Sequence, residues 1–475
     1  MSTPNNQFLD VMLANLGRTF IALAQSRSSS ELVCSTASAM SPHPPSKAVD
    51  GMTNETRQYE LILLGATGYT GKLVAEWITT QLPPDLKWAI AGRNAKKLQA
   101  VVDELTELSP NRKQPDIETC EIDPEQLNAL VVKTKLLVTT VGPFMHYGEP
   151  VLAACANNGT HYLDSTGEVP WIYDMIAKYD EVAKKNHSII IPECGLDSVP
   201  ADIMAYVLAR EVRKRYNTAC ERAIMTLYDF KSGVSGGTAL TMLELFNNYS
   251  LSHLGKSMHP YSLSPVKAAQ VVGPPKGSLL YRPFGLLSIP ELGGVQTTGL
   301  MASVDECIVH RSWGLYESSS DRNLAYGSKF RFNEFARATG FLTGLAQKLA
   351  LGLTAVLLAI PLSRWILAPV LKKFVIPSPG SGPTKESMKK DFMNYRAVGI
   401  AEDGRGKVMA HMDVAHGGYV ATAITLSAAA QVIIRGRLED TEAGKLGGGI
   451  LTPATLGDQY VKTLNEFGMK IRVDD

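Results

Sequence analysis

The stretch YELILLGATGYTG, from Tyr59 to Gly71, constrains the fold more than any other part of the chain. Its apolar run predicts a buried strand, which stops abruptly at a glycine-spaced turn. The residues from about 69 to 80 then repeat apolar side chains at helical spacing. A strand, a glycine turn and a helix in this order present bare backbone N–H groups to a phosphate. The stretch therefore predicts the first unit of a dinucleotide-binding fold.

Each glycine of the turn has a separate steric reason. Gly65 ends the strand tightly, Gly68 lets a pyrophosphate approach the backbone, and Gly71 lets the helix lie against the strand. The spacing is GxxGxxG, and glycines alone are also typical of a purely structural turn, so the flanking strand and helix favour the nucleotide interpretation. We expect the cofactor to contact the whole turn, which comprises Gly65, Ala66, Thr67, Gly68, Tyr69, Thr70 and Gly71.

The chain up to about residue 200 continues to alternate strands with helical patterns. The predicted strands are residues 88–92, 117–121, 135–140, 161–164 and 188–192. This alternation is typical of parallel strands joined by helical crossovers. We therefore expect an α/β fold with a Rossmann-type doubly wound parallel sheet.

The residue that ends the second strand indicates which nicotinamide cofactor is preferred. An acid at this position binds the ribose hydroxyls of NAD, whereas this chain has Gly92 and then Arg93, with Lys96 and Lys97 close behind. A guanidinium pairs bidentately with a phosphate. Arg93 therefore favours NADP, and the alternative is a solvated loop charge.

The fourth strand runs into VGPF, and the carboxyl ends of strands face the ligand in this fold. We expect Val141, Gly142 and Pro143 to form the nicotinamide side of the cleft. His146 and Tyr147 follow closely, and they are the nearest candidates for a catalytic proton donor. The alternative is that both residues cap or pack against the next helix.

Polar residues also follow the fifth and sixth strands. Asp164 and Thr166 lie in YLDSTGE, and Asp197 and Ser198 lie in PECGLDSVPAD. Such residues cap helices as readily as they contact a substrate, so both roles stay open. The second loop as a whole is expected to border the cleft.

Composition excludes several classes of protein. The 475 residues are 45% hydrophobic, which is enough for two domains with sizeable cores. Lysine and arginine number 47 against 46 acids, so bulk electrostatics gives no reason to expect a nucleic-acid partner. The six cysteines show no CxxC spacing, which favours reduced thiols in an intracellular protein over disulfides or a metal site.

Residues 1–57 predict a disordered extension, because residues 26–45 are dominated by serine, proline and small side chains. Arg18 and Arg27 flank an apolar patch, so a mitochondrial transit peptide is a weaker alternative. A third interpretation is that the functional protein begins near Met52.

Residues 341–371 form the most apolar segment of the second half. Its uninterrupted part, residues 349–360, is shorter than the roughly 20 residues that a simple membrane-spanning helix needs, and Pro361 follows it. We expect a hairpin or flat helix on a membrane or lipid-droplet surface. The alternative is a helix pair buried in a homodimer or domain interface.

Several motifs together resemble one known family, the saccharopine dehydrogenase-like oxidoreductases, which include the trans-acting enoyl reductases of lipid biosynthesis. The motifs are GATGYTG at 65–71, AGR at 91–93, TVGPF at 140–144, YLDSTGE at 162–168, GLDSVPAD at 195–202, GSGPT at 380–384 and GGGILTPATLGD at 447–458. The resemblance covers nearly everything after residue 57.

The resemblance implies an NADP-binding Rossmann domain at residues 58–200 and a second α/β (α+β) substrate domain at residues 201–446. It also implies a carboxyl-terminal helix, within residues 447–475, that packs back on the body, and lipid association for some members. We expect an NADPH-dependent oxidoreductase that reduces an enoyl or carbonyl group of a small lipid-like or polyketide-like substrate. Two alternatives stay open: a lipid-surface protein that binds NADP without turnover, and a saccharopine-type amino-acid dehydrogenase.

Overall fold

A computed structural model describes residues 57–232, 244–268, 275, 281–319, 321–374 and 382–475. The predicted extension lies outside these residues except for Arg57. The Arg57 guanidinium donates hydrogen bonds to the carbonyl oxygens of Thr134, at 2.6 Å, and of Asn158, at 2.7 Å. The described chain is therefore anchored to the protein at its first residue.

The elements alternate through the first half and become mixed in the second. In chain order the strands are β1 (Tyr59–Leu64), β2 (Trp88–Gly92), β3 (Asp116–Thr119), β4 (Thr134–Thr139), β5 (His161–Asp164), β6 (Ile189–Ile191), β7 (Cys220–Lys231), β8 (Leu287–Ile289), β9 (Gly294–Thr298), β10 (Arg331–Arg337), β11 (Phe392–Ala401), β12 (Lys407–Val414), β13 (Gly449–Ile450) and β14 (Met469–Val473). The helices are α1 (Tyr69–Gln81), α2 (Ala95–Leu108), α3 (Pro124–Val131), α4 (Phe144–Asn157), α5 (Val169–Lys185), α6 (Val199–Tyr216), α7 (Leu251–Ser257), α8 (Ala302–Glu317), α9 (Phe341–Ala359), α10 (Pro361–Phe374), α11 (Lys385–Met388), α12 (Gly418–Arg435), α13 (Glu442–Leu446) and α14 (Gly457–Glu466).

The first sheet has the order β3-β2-β1-β4-β5-β6-β13, and its neighbouring strands are parallel. The chain winds outward from β1 through β2 to β3, and then outward from β4 in the other direction. The carboxyl ends of β1 and β4 therefore flank the point where the winding reverses, which is where such sheets bind ligands. The predicted doubly wound parallel sheet is confirmed.

Strand β1 is buried on both faces, which explains its continuous apolar sequence. Leu61 and Leu63 pack into one core with helices α1, α2, α6 and α12. Ile62 and Leu64 pack into the core on the opposite face, with α3, α4 and α5. The strand thus fixes the centre of a three-layer body.

The second sheet is mixed and has the order β14-β12-β11-β7-β10-β9-β8. Strand β10 runs parallel to β7, and the other neighbouring pairs are antiparallel. Along β11, Tyr395 and Ala397 point into the large core that contains α6 and part of α8, while Val398 faces a smaller core with Ile224. The predicted second α/β (α+β) unit is confirmed as a fold class.

The carboxyl-terminal part contacts both sheets. Helix α12 packs against α1 in the core of the first sheet, and Ile450 in β13 pairs with Ile190 in β6. The chain then passes through α14 into β14, an edge strand of the second sheet that the sequence analysis did not predict. The predicted domain boundaries at residues 57, 200 and 446 stay predictions.

Candidate nucleotide-binding and active site

The turn after β1 has the geometry of a phosphate-binding loop. Gly65 has φ +93°, a conformation that favours glycine, and its N–H donates to Ala91 O at 3.0 Å. The Gly65 carbonyl accepts the N–H of Gly68 at 2.9 Å. A β-carbon at Gly65 would lie 2.8 Å from Val141 Cγ2, so the turn lies directly against the loop after β4.

Helix α1 begins at this turn with its N–H groups uncapped by side chains. Gly68 is the N-cap residue, and the first turn of the helix contains no acid. The positive end of the helix is therefore available to an anion. Gly71 is fully enclosed, because a β-carbon there would lie 2.1 Å from Gly65 O.

The remaining predicted contacts in the turn differ in what they offer a ligand. Ala66 is buried, whereas Thr67 and Thr70 are half-buried. The Tyr69 hydroxyl donates to Pro383 O at 2.7 Å, and its ring meets the Tyr419 ring edge-on. Burial raises the pKa of Tyr69 to about 12. The Tyr69 side chain therefore binds a later segment of the chain, at Pro383 and Tyr419. What the residue can offer the predicted cofactor is its backbone.

Arg93 lies one residue beyond β2 and is exposed. Its guanidinium makes no hydrogen bond or ion pair with the part of the chain that the structure describes. The neighbouring Asn94 caps α2 by accepting the N–H of Lys97 at 3.0 Å. A free guanidinium at the end of β2, where an acid would select NAD, fits the phosphate of NADP.

The loop after β4 contains Val141 and a cis peptide bond between Gly142 and Pro143, and it leads directly into α4. The helix begins at Phe144. Glu168 explains this start, because its carboxylate accepts the N–H groups of Phe144 and Met145 at 2.9 and 2.6 Å. This cap comes from another loop, so local sequence did not reveal it.

His146 and Tyr147 occupy the first turn of α4. Both are exposed, Tyr147 to 46%, and their rings meet at 6.1 Å. The structure thus brings the two candidates together on an exposed part of the helix, while Glu168 holds the buried side of the same turn. Their catalytic role stays a prediction.

Asp164 at the end of β5 ties two loops together. One carboxylate oxygen accepts the N–H groups of Thr166 and Glu193, at 2.9 and 3.0 Å, and the other accepts the Tyr162 hydroxyl at 2.6 Å. Burial raises the pKa of Asp164 to about 6, although these hydrogen bonds oppose the shift. With its partners inside the protein, Asp164 has a structural role.

Carboxyl groups from distant segments lie near one another beyond the carboxyl end of β6, at the edge of the sheet where a ligand cleft is expected. The buried Glu193 and the exposed Asp197 belong to the loop between β6 and α6, while the buried Asp305 comes from α8 and the buried Glu334 from β10. Asp197 was named in the sequence analysis, whereas the other three were missed. The apolar setting of Glu193, in IIIPECG, was a usable signal, but nothing in the sequence links residues 193, 305 and 334.

The residues present fit NADP: an uncapped helix start, a glycine turn without space for a side chain at Gly65 or Gly71, and an exposed guanidinium after β2. Within the described ranges, no group of three His, Cys, Asp or Glu side chains is arranged to hold a metal ion.

The fold and this site together define a nicotinamide-dependent oxidoreductase. A Mycobacterium tuberculosis (strain H37Rv) protein provisionally named a trans-acting enoyl reductase is 31% identical over 430 residues, which cover 89% of this chain and 99% of that protein. The chain belongs to the saccharopine dehydrogenase-like oxidoreductase family that includes the trans-acting enoyl reductases. It is an NADP-dependent oxidoreductase.

Further similarities were found to a family model, to a second relative and to a solved structure. Residues 61–191 match the family described as the saccharopine dehydrogenase NADP binding domain. A trans-acting enoyl reductase of Mycobacterium bovis (strain BCG) is 29% identical, over 88% of this chain and 98% of that protein. Apo saccharopine dehydrogenase (L-Glu forming) from Saccharomyces cerevisiae has a TM-score of 0.43 and 12% identity, over 88% of this chain and 100% of that structure.

Proposed function

We propose that the protein uses NADPH to reduce an enoyl or carbonyl group of a lipid or polyketide-like substrate. The observation that carries the proposal is that a nucleotide site and a group of acids lie at the same edge of the first sheet. The phosphate-binding turn and Arg93 follow the carboxyl ends of β1 and β2, and Glu193 and Asp197 follow the carboxyl end of β6. The relatives named trans-acting enoyl reductases support the same reaction class.

NADPH supplies a hydride when it is bound, and the chain supplies position, exclusion of water and a proton. The uncapped start of α1 and Arg93 would hold its phosphates. The loop at Val141, Gly142 and Pro143 would form the wall beside the reacting end. Glu168 keeps this wall in place by capping α4.

The surroundings of Glu193 favour an acceptor without carboxylates. Burial, and then the charges of Asp164, Asp202 and Asp197, raise the pKa of Glu193 and so disfavour its charged form. The carboxylates of a saccharopine-like substrate would meet the same desolvation here, which costs binding free energy. An enoyl or carbonyl group has no such conflict.

Oxidation of NADPH by the purified protein tests the proposal. The acceptors are a panel of enoyl thioesters, ketones and imines, and the absorbance of NADPH gives the rate. Turnover with an enoyl or carbonyl compound is expected. Turnover with imines alone would support the amino-acid dehydrogenase, and binding of NADPH without turnover on any acceptor would support the non-enzymatic alternative.

We further propose that α9 and α10 attach the protein to a membrane or lipid-droplet surface. Helix α9 is apolar on two opposite faces: Leu351, Ala355 and Leu358 are buried, whereas Leu349 and Leu353 are exposed to 64% and 59%. Its buried face is fixed to the second sheet, where Thr297 Oγ1 donates to Gly344 O at 2.9 Å. The exposed face is therefore presented outward by a rigid support.

The exposed apolar surface continues beyond the break at Pro361 into α10. Its members, called the apolar ridge below, are Leu342, Leu349, Leu353, Ile360, Leu362, Trp365 and Ile366. Tryptophan and nearby cations such as Arg364 suit the headgroup level of a lipid layer. By length and composition α9 and α12 would each suffice to cross a membrane, but most of α12 is buried in the core.

Flotation with phospholipid vesicles tests this attachment. The variant combines Leu349→Ser, Leu353→Ser and Trp365→Ser, and the matched control is Leu108→Ser, an equally apolar residue exposed to 48% on α2. We expect wild type and control to float with the vesicles and the triple variant to stay in solution. Equal flotation would contradict the proposal, and conversion of a dimer to a monomer would assign the ridge to a homodimer interface.

A further inference from the structure

We propose that Asp197 gives the substrate the proton that completes the reduction, and that Glu193 and Asp305 behind it form a buried proton store. This inference rests on the proposed reductase function and names the chemistry of the same cleft. It replaces His146 and Tyr147 as the candidates for proton transfer.

Asp197 is the member of the cluster that a substrate can reach. Its side chain is exposed, yet burial of its surroundings raises its pKa. A β-carbon at Gly167 would lie 4.0 Å from Asp197 Oδ2 and 3.7 Å from Met301 Cε. Asp197 thus lies where the loop after β5 meets the start of α8.

The buried carboxyl group of Glu193 distinguishes this cluster from a chance group of acids. Its side chain is fully buried, and neither carboxylate oxygen has a hydrogen-bond partner among the described residues. Its φ of +56° is unusual for a residue with a side chain. Burial, and then the charges of Asp164, Asp202 and Asp197, raise its pKa well above the ordinary value. These surroundings favour the protonated carboxyl group over the carboxylate.

Asp305 on α8 approaches Glu193 and Asp197 from the side of the second sheet. It is 2% exposed, and burial together with the charge and hydrogen bond of Glu334 raises its pKa well above the ordinary value. Glu193 and Asp197 add to this shift. Tyr395 on β11 also has a raised pKa, from burial and from Glu334, Asp305 and Asp197. Acids attached to both sheets therefore lie close enough to influence one another's charge here.

The proton moves from Asp197 to the substrate. After hydride from NADPH has reached the acceptor in the proposed reduction, the Asp197 O–H bond breaks and a C–H or O–H bond forms on the substrate. The Asp197 carboxylate then takes a proton from the Glu193 and Asp305 store. Solvent entering the cleft after product release restores the proton of the store, so no net charge accumulates.

Two variants and one control test the proposal: Asp197→Asn, Glu193→Gln and Glu107→Gln, the last on the exposed face of α2. Asp197→Asn is expected to lower the reduction rate by about 100-fold or more while NADPH affinity, measured by fluorescence, stays at the wild-type value. Retained NADPH affinity shows that this variant is folded. At acidic pH, Glu193→Gln is expected to reduce the substrate as fast as wild type. As the pH is raised, its rate is expected to fall at a lower pH than the rate of wild type does. The control should match wild type throughout.

Carbon-13 NMR of the protein without cofactor gives a readout that does not depend on turnover. We expect a carboxyl resonance in wild type that titrates well above the range of an exposed glutamate, and we expect this resonance to be absent in Glu193→Gln. Its absence from wild type would overturn the proton store. If wild type is active and Asp197→Asn is equally active, the inference is overturned and the proposed function stands. If wild type is inactive on every acceptor, the proposed function and the inference are overturned together.

Discussion

A single methyl group added to the glycine turn separates its structural role from its binding role. In Gly71→Ala the new carbon would lie 2.1 Å from Gly65 O, 2.8 Å from Gly65 C and 2.9 Å from Ala66 Cα. Normal contacts between heavy atoms are about 3.5 Å, so the helix and turn must separate by roughly 1.4 Å. Because backbone surrounds the site, no side chain can move aside. We expect a loss of about 1–3 kcal/mol in the free energy of unfolding, or more.

Gly68→Ala is the matched comparison. Its methyl group would have one near neighbour, Gly65 O at 3.3 Å, and the residue has φ −76°, which alanine adopts freely. The stability cost is therefore expected to stay below about 1 kcal/mol. The methyl group would, however, stand where the predicted cradle admits a pyrophosphate. Loss of one charge-assisted hydrogen bond, about 1.5–3 kcal/mol, weakens binding roughly 10- to 150-fold.

Urea denaturation of the cofactor-free protein and NADPH fluorescence titration measure the two effects separately. Gly71→Ala should lower both the denaturation midpoint and the affinity, whereas Gly68→Ala should lower the affinity alone. Wild-type NADPH affinity in Gly68→Ala would refute the assignment of the cradle. Wild-type stability in Gly71→Ala would refute the close approach of the turn and helix.

Further predictions concern capping, pH and cofactor choice. Glu168→Ala leaves the buried N–H groups of Phe144 and Met145 without acceptors and should cost about 2–5 kcal/mol in urea denaturation, and Glu168→Gln less, because one acceptor remains. Burial raises the pKa values of Glu168 and Asp202 to about 7, so the native state binds more protons than the unfolded state. Their contribution to stability should be complete near pH 4 and be lost as the pH rises through 7, and an equally steep pH dependence in Glu168→Gln would contradict this. Arg93→Gln should weaken NADPH binding about 10- to 100-fold and leave NADH binding unchanged, whereas equal losses for both would contradict selection of the phosphate.

The sequence by itself determined the first sheet and its cofactor. Strand β1 is apolar at successive positions because both of its faces are buried, and this signal lies within one short segment. The glycines at 65, 68 and 71 follow from backbone contacts within the same turn. The role of Arg93 was predicted for a similar reason, because the end of β2 lies beside the predicted ribose. Each of these features depends on neighbours close in sequence.

Tertiary structure alone decided the inner end of the cleft. Glu168 caps a helix that begins 24 residues earlier, so the start of α4 at Phe144 had no local signal. Glu193, Asp305 and Glu334 come from a loop, a helix and a strand that meet only when the two sheets close on each other. Desolvation, which raises the pKa of Glu193 and of Asp305, depends on everything packed around them. The cofactor that carries the hydride was therefore predicted from one stretch of sequence. The proposed source of the proton was identified only from the tertiary structure.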